Sequence, residues 1–590
     1  MKIPVTIGIT KESAFKAPWE KWVTYGLVIA ASIEVFFFAL WWFSLSHLPH
    51  NFSGIFRGLD LFLFALVSYV VWYQILNEVL AWDLALSMKK TQFLSAPRGF
   101  KVGLLTAFVP DKEPLEILEK TLKAMVAVRY PHDTWVLDEG DDTKVKTLCK
   151  ELGVKHYTRK GKPHYNTPEG AYKAKTKGGN YNSWFTEHGE EYDIVAQHDV
   201  DFIPSKDYLH KTLGYFRDPD VAFVGTPQIY GNTAESWITL GAAQQGYGFY
   251  GAIQKGLCGK EMHLFIGANH VMRVAAHDDI EGYAGHIVED HLTGMRLYAK
   301  RWKSVYVPEA LLVGEGPNTW ESYFSQQMRW AYGLIDILFR HSPNIFRTMK
   351  LQHAVRYFLL QQYYFYGLAQ AIGIFLISLY FVSGIQATSM ELRPLLVYYA
   401  LFLIFQIVIF LWLQRFYVNP KKESGLHISA KVLNIAAWPI YLVAFVGAAV
   451  NRRLSYQVTP KGNAQLQERA VPQVKNFSIH FILGTITGIG IIIAYLVGRA
   501  TPQLIFWAVL NTGFMYGFVL LAIMEEFRLS KGFRWLTQGM VVILLVWAIF
   551  ATLPSIIQDQ KSQHFISSGK ILVHDAVGEA KEIKTALLAQ

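Results

Sequence analysis

The sequence predicts an α/β domain inserted between membrane-spanning helices, and three observations predict it. The 590-residue chain is 52% hydrophobic with a mean hydropathy of +0.20, too apolar for an ordinary soluble protein. Apolar runs of about 20 residues, long enough to cross ~30 Å of hydrocarbon as helices, occur toward both ends. Between them short β-like runs alternate with amphipathic helical segments, the pattern of a mainly parallel sheet with its ligands at the carboxyl ends of the strands.

The apolar runs are 22–43, 59–82, 357–382, 395–416, 477–497, 504–524 and 536–553, seven in all. Lys2, Lys11, Lys16 and Lys21 precede the first, and Lys89, Lys90, Arg98 and Lys101 follow the second, whereas the loop 44–57 is nearly free of Lys and Arg. Basic residues hold loops on the cytoplasmic side, so the first two spans form an outward hairpin and the segment after them is cytoplasmic. A further apolar stretch, 432–450, lies between Lys421, Lys422 and Lys431 on one side and Arg452, Arg453 and Lys461 on the other. Crossing would leave one strongly basic loop outside, so it reads as an amphipathic interfacial helix bent by Pro439, with a true span as the alternative. The predicted organisation is a cytoplasmic tail (1–22), two spans (23–85), a cytoplasmic domain (96–347), two spans (354–417), an interfacial helix and loop (428–476), three spans (477–555) and a tail (556–590). This is a multi-pass plasma-membrane protein.

Composition excludes several classes. The net charge of +10 sits mostly beside the apolar runs, which argues against nucleic acid as a partner. Cys149 and Cys258 are the only cysteines, with no CxxC pair, so neither a disulfide scaffold nor a structural zinc site is supported. No cleavable signal peptide is expected ahead of residue 22.

Within the central domain, β-like runs occur at 102–106, 135–137, 194–196 and 221–224, and a helical segment at 115–126. Asp199-Val200-Asp201 ends one such run, where two carboxylates can hold a hard divalent cation against a diphosphate. Two aspartates so spaced also arise by chance, and Asp218-Pro219-Asp220 is a second instance whose central proline marks a surface turn. Asp138-Glu139-Gly140 closes another strand, as a nucleoside contact or a plain strand-to-turn cap. Lys177 lies in Lys175-Thr176-Lys177-Gly178-Gly179-Asn180, a phosphate cradle or a solvated basic loop. Val288-Glu289-Asp290 precedes a helical segment, so Asp290 is either a general base for a sugar hydroxyl or a helix N-cap. Read as one helix, 320–332 puts Gln326, Arg329 and Trp330 on a common face: a cation for a departing diphosphate and a flat ring for a sugar, or a bland aromatic interfacial helix.

Taken in order, these motifs resemble those of processive family-2 glycosyltransferases of the cellulose synthase and hyaluronan synthase type, over about residues 101–461. The family's acidic-acidic-Gly, DxD, TED and QxxRW motifs follow one another as here, and Tyr456-Gln457-Val458-Thr459-Pro460-Lys461 resembles the FxVTxK gating loop. Val224 to Gln228 and Phe265 to Asn269 resemble the QTPQ-like and acceptor-loop segments. Glu139, Val288 and Ile266 depart from the family's Asp, Thr and Cys. The resemblance implies a GT-A-like nucleotide-sugar domain with Mg²⁺ or Mn²⁺ on Asp199 and Asp201. Donor contacts would come from Asp138, Lys177, Asp199, Gln326, Arg329, Thr459 and Lys461, acceptor contacts from Gly267 and Trp330, and the base from Asp290. Expected partners are a nucleotide-sugar, the growing polysaccharide, membrane lipids and accessory export subunits. UDP-glucose polymerised into a β-glucan such as cellulose is the first expectation; hyaluronan, chitin or mannan synthesis and non-processive transfer to a lipid acceptor are alternatives. Many bacterial cellulose synthases carry a C-terminal cyclic-di-GMP domain with an RxxxR motif; the tail 555–590 is too short for one and lacks that motif, so no cyclic-di-GMP control is expected within this chain. A solute transporter without chemistry is disfavoured by the few ionisable residues within the predicted spans.

Overall fold

The computed structural model describes residues 8–452, 473–500 and 502–526. The chain divides into two compact units, one from 1–28, 76–368 and 407–471, the other from 29–75, 369–406 and 472–590.

The first unit is built on a seven-stranded sheet: β1 (Val102–Phe108), β2 (Asp133–Asp138), β3 (Lys155–Tyr157), β4 (Ile194–Asp199), β5 (Val221–Gly225), β6 (Asn269–Arg273) and β7 (Lys303–Tyr306), in the order β7-β5-β6-β4-β1-β2-β3. All neighbours are parallel except β6, which runs antiparallel to both β4 and β5, with Asn269 opposite His198 and His270 opposite Gly225. The sheet is therefore mixed, where strand and helix alternation alone predicts parallel pairing. The consequence is positional. An antiparallel strand begins where its parallel neighbours end, so the chain entering β6 arrives at the carboxyl end of β4, and the Asp199 N–H donates to the Ala268 carbonyl at 3.0 Å.

Leu104, Val136, Ile194, Ala196, Val224 and Val271 form the core of this sheet, covered on one side by helix α1 (Leu115–Val126) through Leu118, Leu122 and Met125, all fully buried. Their spacing of three and four residues makes one apolar stripe on α1. The first unit also contains helices α2 (Lys177–His188), α3 (Glu289–Ala299), α4 (Trp320–Arg340) and the pair α5 (Ile428–Ala436) and α6 (Trp438–Ala449). Helix α4 opens with a reciprocal cap: the Thr319 hydroxyl accepts from the Ser322 N–H, and the Ser322 hydroxyl accepts from the Thr319 N–H. A small three-stranded sheet of Ile203–Pro204, Leu312–Gly314 and Ile229–Tyr230 lies beyond β4.

Helices α5 and α6 meet at a 43° bend at Ala437, and Pro439 stands in the first turn of α6, where its missing N–H costs nothing. Among the described residues six helices are long and apolar enough to cross a membrane: Pro18–Trp42, Gly54–Leu86, Leu351–Ser383, Arg393–Phe416, Lys475–Leu496 and Ile505–Ile523; counting the bent pair as a span gives seven. By these helices the chain is a multi-pass membrane protein. The run 357–382 lies in a helix that tightens to a 3₁₀ turn at Gln362–Phe365. The predicted run 536–553 and the tail from 556 lie outside the described residues. In the second unit Phe381 packs against Ala494 and Ala508, and Gly490 leaves room for its ring.

Candidate active site

The carboxyl ends of β2 and β4, the chain entering β6, and the helices α2, α3 and α4 surround a cavity of about 1540 Å³ within the first unit. Among its walls are Glu139, Lys177, Asp199, Asp201, Gly267, Glu289, Asp290, Gln326, Arg329 and Trp330. Thus eight of the eleven predicted site residues meet at one cavity. Asp138 does not reach it, and Thr459 and Lys461 lie outside the described residues. That leaves Glu139, which the motif offered only as a neighbour, as the acidic side chain of the β2 turn that faces the space.

Asp138 is fully buried, and its carboxylate accepts from the Gly140 and Asp142 N–H groups at 2.8 and 2.6 Å, with His156 Nε2 at 3.1 Å. These bonds make the tight turn that carries Glu139 to the cavity.

Lys177 is the first residue of α2, set there by Thr176, whose hydroxyl caps the helix by accepting from the Gly179 N–H. Its ammonium donates to Asp199 Oδ1 at 2.6 Å and to the Gly267 carbonyl at 2.5 Å. Burial works against its charge but is outweighed by Asp199, Tyr181 and Glu289, so Lys177 stays protonated well above the ordinary lysine range. Asp201, two residues on, is buried, and its Oδ2 accepts from the Glu315 N–H at 3.4 Å.

Asp290 lies in the first turn of α3. Its Oδ2 accepts from the Gly267 N–H at 2.9 Å and its Oδ1 from the His291 N–H at 2.8 Å. A Cβ on residue 267 would stand 2.7 Å from Oδ2, so glycine is what lets this backbone come so close to the carboxylate. Burial raises the Asp290 carboxyl above its ordinary value, against the pull of those two N–H groups, Lys177 and Arg329. Glu289 beside it is raised too, by burial first and then by the Asp290 charge. Two adjacent carboxyls held this way titrate as a pair above the usual carboxylate range. Val288, where the family has Thr, is buried against Gly333 of α4; a Cβ on Gly333 would clash with Val288 Cγ2, so glycine at 333 is what lets the two segments come this close.

Gln326 Nε2 donates to the Tyr230 hydroxyl at 3.4 Å, while Gln327 Oε1 accepts from the Tyr441 hydroxyl of α6 at 2.9 Å. Arg329 and Trp330 follow on the same helix and line the cavity. One other cluster brings three metal-capable side chains together among the described residues: His286, Asp336 and His341. There the Val288 N–H donates to His286 Nδ1 at 3.2 Å, which leaves the ring proton on Nε2 facing Asp336 Oδ2 at 3.1 Å, and Arg340 holds the other oxygen at 2.5 Å. A ring nitrogen that carries a proton does not ligate a cation, so this trio braces the Val288 turn against α4. Asp199 and Asp201 both line the cavity.

Residues 194–413 match the family described as glycosyl transferase family group 2. The chain carries a family-2 glycosyltransferase domain. It is related to a cellulose synthase catalytic subunit [UDP-forming] of Xanthomonas axonopodis pv. citri, 26% identical over 275 residues, which cover 45% of this chain and 36% of that protein. It is similar to "Probable glucomannan 4-beta-mannosyltransferase 3" of Oryza sativa subsp. japonica, 26% identical over 265 residues, 44% of this chain and 48% of that protein. The chain thus spans less than half the length of both relatives. Among solved structures, a mannosyltransferase from Pyrobaculum calidifontis in complex with GDP-Man and Mn²⁺ superposes with a TM-score of 0.43 at 12% identity, covering 66% of this chain and all of that one. The domain is a mixed-sheet α/β domain with long apolar helices before and after it in the sequence.

Proposed function

We propose that this protein is a membrane-embedded, inverting and processive glycosyltransferase that takes a sugar from a nucleotide donor on the cytoplasmic side and extends a β-linked polysaccharide, with UDP-glucose as donor and a β-glucan such as cellulose as product. The observation that carries the proposal is the convergence of Asp290 with Asp199, Asp201, Arg329 and Trp330 on one cavity.

In the reaction an acceptor hydroxyl oxygen attacks the anomeric carbon as the bond from that carbon to the diphosphate oxygen breaks. Asp290 accepts the hydroxyl proton, and single displacement turns an α-linked donor into a β-linkage. Its two N–H bonds aim the carboxylate, and burial raises its proton affinity above that of an ordinary carboxylate, which suits a base. Arg329 and Lys177 meet the charge that develops on the leaving diphosphate. Asp199 and Asp201 would hold Mg²⁺ or Mn²⁺, which supplies Lewis-acid neutralisation of that diphosphate when bound. Trp330 offers a flat face to the acceptor sugar, and Gly267 lies beside the base. Thr459 and Lys461, by their resemblance to a gating loop, would close over the donor.

The relation to glucomannan mannosyltransferases supports a second reading, GDP-mannose polymerised into a mannan. The test is a donor screen: purified protein in nanodiscs, with Mg²⁺ or Mn²⁺, offered UDP-glucose, UDP-N-acetylglucosamine, UDP-glucuronate or GDP-mannose, followed by linkage analysis. Release of one nucleoside diphosphate with a β-linked polymer is the expected result. No release from any donor overturns the proposal, and unaltered solute flux in D290N would favour transport without chemistry.

A further inference from the structure

We infer that Arg159 is a positioning residue for the donor, clamping the acidic turn after β2 to the wall that carries Lys177; this rests on the function proposed above. Arg159 is fully buried and does not itself line the cavity. Its guanidinium has five N–H donors in a fixed fork, and four hydrogen bonds and an ion pair hold it. Nε donates to Glu139 Oε1 at 2.9 Å, and Nη2 lies 2.7 Å from the same oxygen in an ion pair. Nη1 donates to the Tyr165 and Lys173 carbonyls at 3.1 and 3.2 Å, and Nη2 to the Thr176 carbonyl at 3.2 Å.

Buried and off the cavity wall, the fork does not face a ligand, so its effect passes through what it holds. One arm holds Glu139, whose carboxylate faces the cavity from the β2 turn. The other arms hold the excursion 163–176, including Lys175 in the left-handed region at φ 57° and Thr176, the cap of α2. Lys177 follows at once and reaches Asp199. The clamp therefore sets the distance between the turn after β2 and the Lys177–Asp199 pair, the two sides between which a nucleoside diphosphate would lie.

The clamp also explains a departure from the family pattern. Glu139 stands where the motif has Asp, and the extra methylene is what brings its carboxylate onto both Nε and Nη2. An ammonium is no substitute for the fork, having three donors and no planar geometry to match these four oxygens.

The test measures R159K, E139D and the E139D/R159K double variant in nanodiscs, by donor kinetics and by hydrogen exchange without donor. Donor KM is expected to rise about tenfold in R159K with kcat within about threefold, since misplacing a binding wall weakens donor capture before it touches the base. E139D should do the same, and the double variant should be no worse than R159K, because the two residues act as one unit. E139Q, which keeps the length and one acceptor oxygen, should recover much of the loss seen in E139D. Amides of 163–179 should exchange faster in R159K, while those of β5 stay as in the parent. Should R159K fail to fold, E139D carries the same expectations. A kcat loss at unchanged KM, or parental KM and exchange in both single variants, overturns the inference. Accelerated exchange in a protein whose parent turns over no donor would leave the clamp standing and remove the proposed function instead.

Discussion

Two aspartate pairs of identical spacing lie 19 residues apart in the same domain, and they differ in which end of a strand they occupy. Asp199-Val200-Asp201 leaves the carboxyl end of β4 and lines the cavity. Asp218-Pro219-Asp220 stands before the first residue of β5, at the opposite edge of the sheet. There Lys303 reaches both carboxylates, at 3.1 and 2.9 Å, and Asp218 Oδ1 also accepts from the Asp220 N–H at 3.0 Å. The first pair is bordered by Lys177, Arg329, Asp290 and open volume; the second is consumed by its own turn and one surface lysine. In an α/β domain the direction of the chain, more than the motif, decides whether two carboxylates meet a ligand.

The largest effect that would sharpen this contrast comes from Asp290, the carboxylate on the cavity side that does chemistry in the proposed reaction. D290N keeps the shape and an oxygen to accept from the Gly267 N–H but has no basicity. Its kcat is expected to fall about 10³-fold, within the range for loss of a general base, with parental thermal unfolding. A drop of less than tenfold would remove Asp290 from that role.

Next in size are the pairs themselves. D199N and D201N should each lower donor turnover about 10²-fold, through loss of charge facing the diphosphate and of ligands for a divalent cation. D218N and D220N should stay within about twofold, being structural ion pairs. Equal losses at both pairs would break the comparison, since strand polarity would then have sorted nothing. Titrating Mn²⁺ into each variant adds a second reading: only D199N and D201N should need more metal for half-maximal rate.

Much of this was legible in the chain. The run from Tyr192 to Ala196 carries directly into Asp199, and the proline within Asp218-Pro219-Asp220 announces a turn, so the two pairs were separable by local pattern. Strand β6 was not, because its Asn269 and His270 are polar and yet buried in the middle of the sheet. They survive there because Asn269 accepts from Thr226 Oγ1 and donates to the Pro227 carbonyl, and His270 Nδ1 meets the Ile266 carbonyl, partners that only the folded chain supplies. The mixed sheet, and with it the approach of Gly267 to Asp290, follows from that strand. Arg159 was hidden for a similar reason. In sequence it is one cation in a basic stretch, and its burial depends on carbonyls 6, 14 and 17 residues away. The β2 turn shows the limit of motif reading at one residue's resolution: Asp138 builds the turn that the adjacent Glu139 uses.

Acidity offers a smaller but sharper test of the cavity side. Asp290 must be ionised to accept a proton, and burial raises its carboxyl and that of Glu289. As pH falls through the raised range the base is lost, so kcat/KM should decline tenfold per unit on an acid limb lying above the ordinary carboxylate values of about 4. The Asp290 charge helps raise Glu289 to about 7, so Glu289 ionises after Asp290 and E289Q should leave the limb in place. A limb that moves to lower pH would mean that Glu289 ionises first.

The smallest effect belongs to the other pair. Lys303 and Asp220 are both more than half exposed, at 54% and 64% of their side-chain surface, so water and salt screen their attraction. D220A should therefore destabilise the folded protein by less than about 1 kcal/mol, as exposed ion pairs do, and the cost should shrink further in high salt. Asp218 is different, being 8% exposed, with the Asp220 N–H on its carboxylate and Lys303 on its other oxygen. Removing the buried carboxylate in D218A leaves that N–H without its acceptor, so its unfolding midpoint should fall further than that of D220A and respond less to salt. If D220A proved the costlier of the two, the account of this turn as a buried aspartate with an exposed companion would be wrong, and the polarity of the sheet would no longer explain why the second pair is structural.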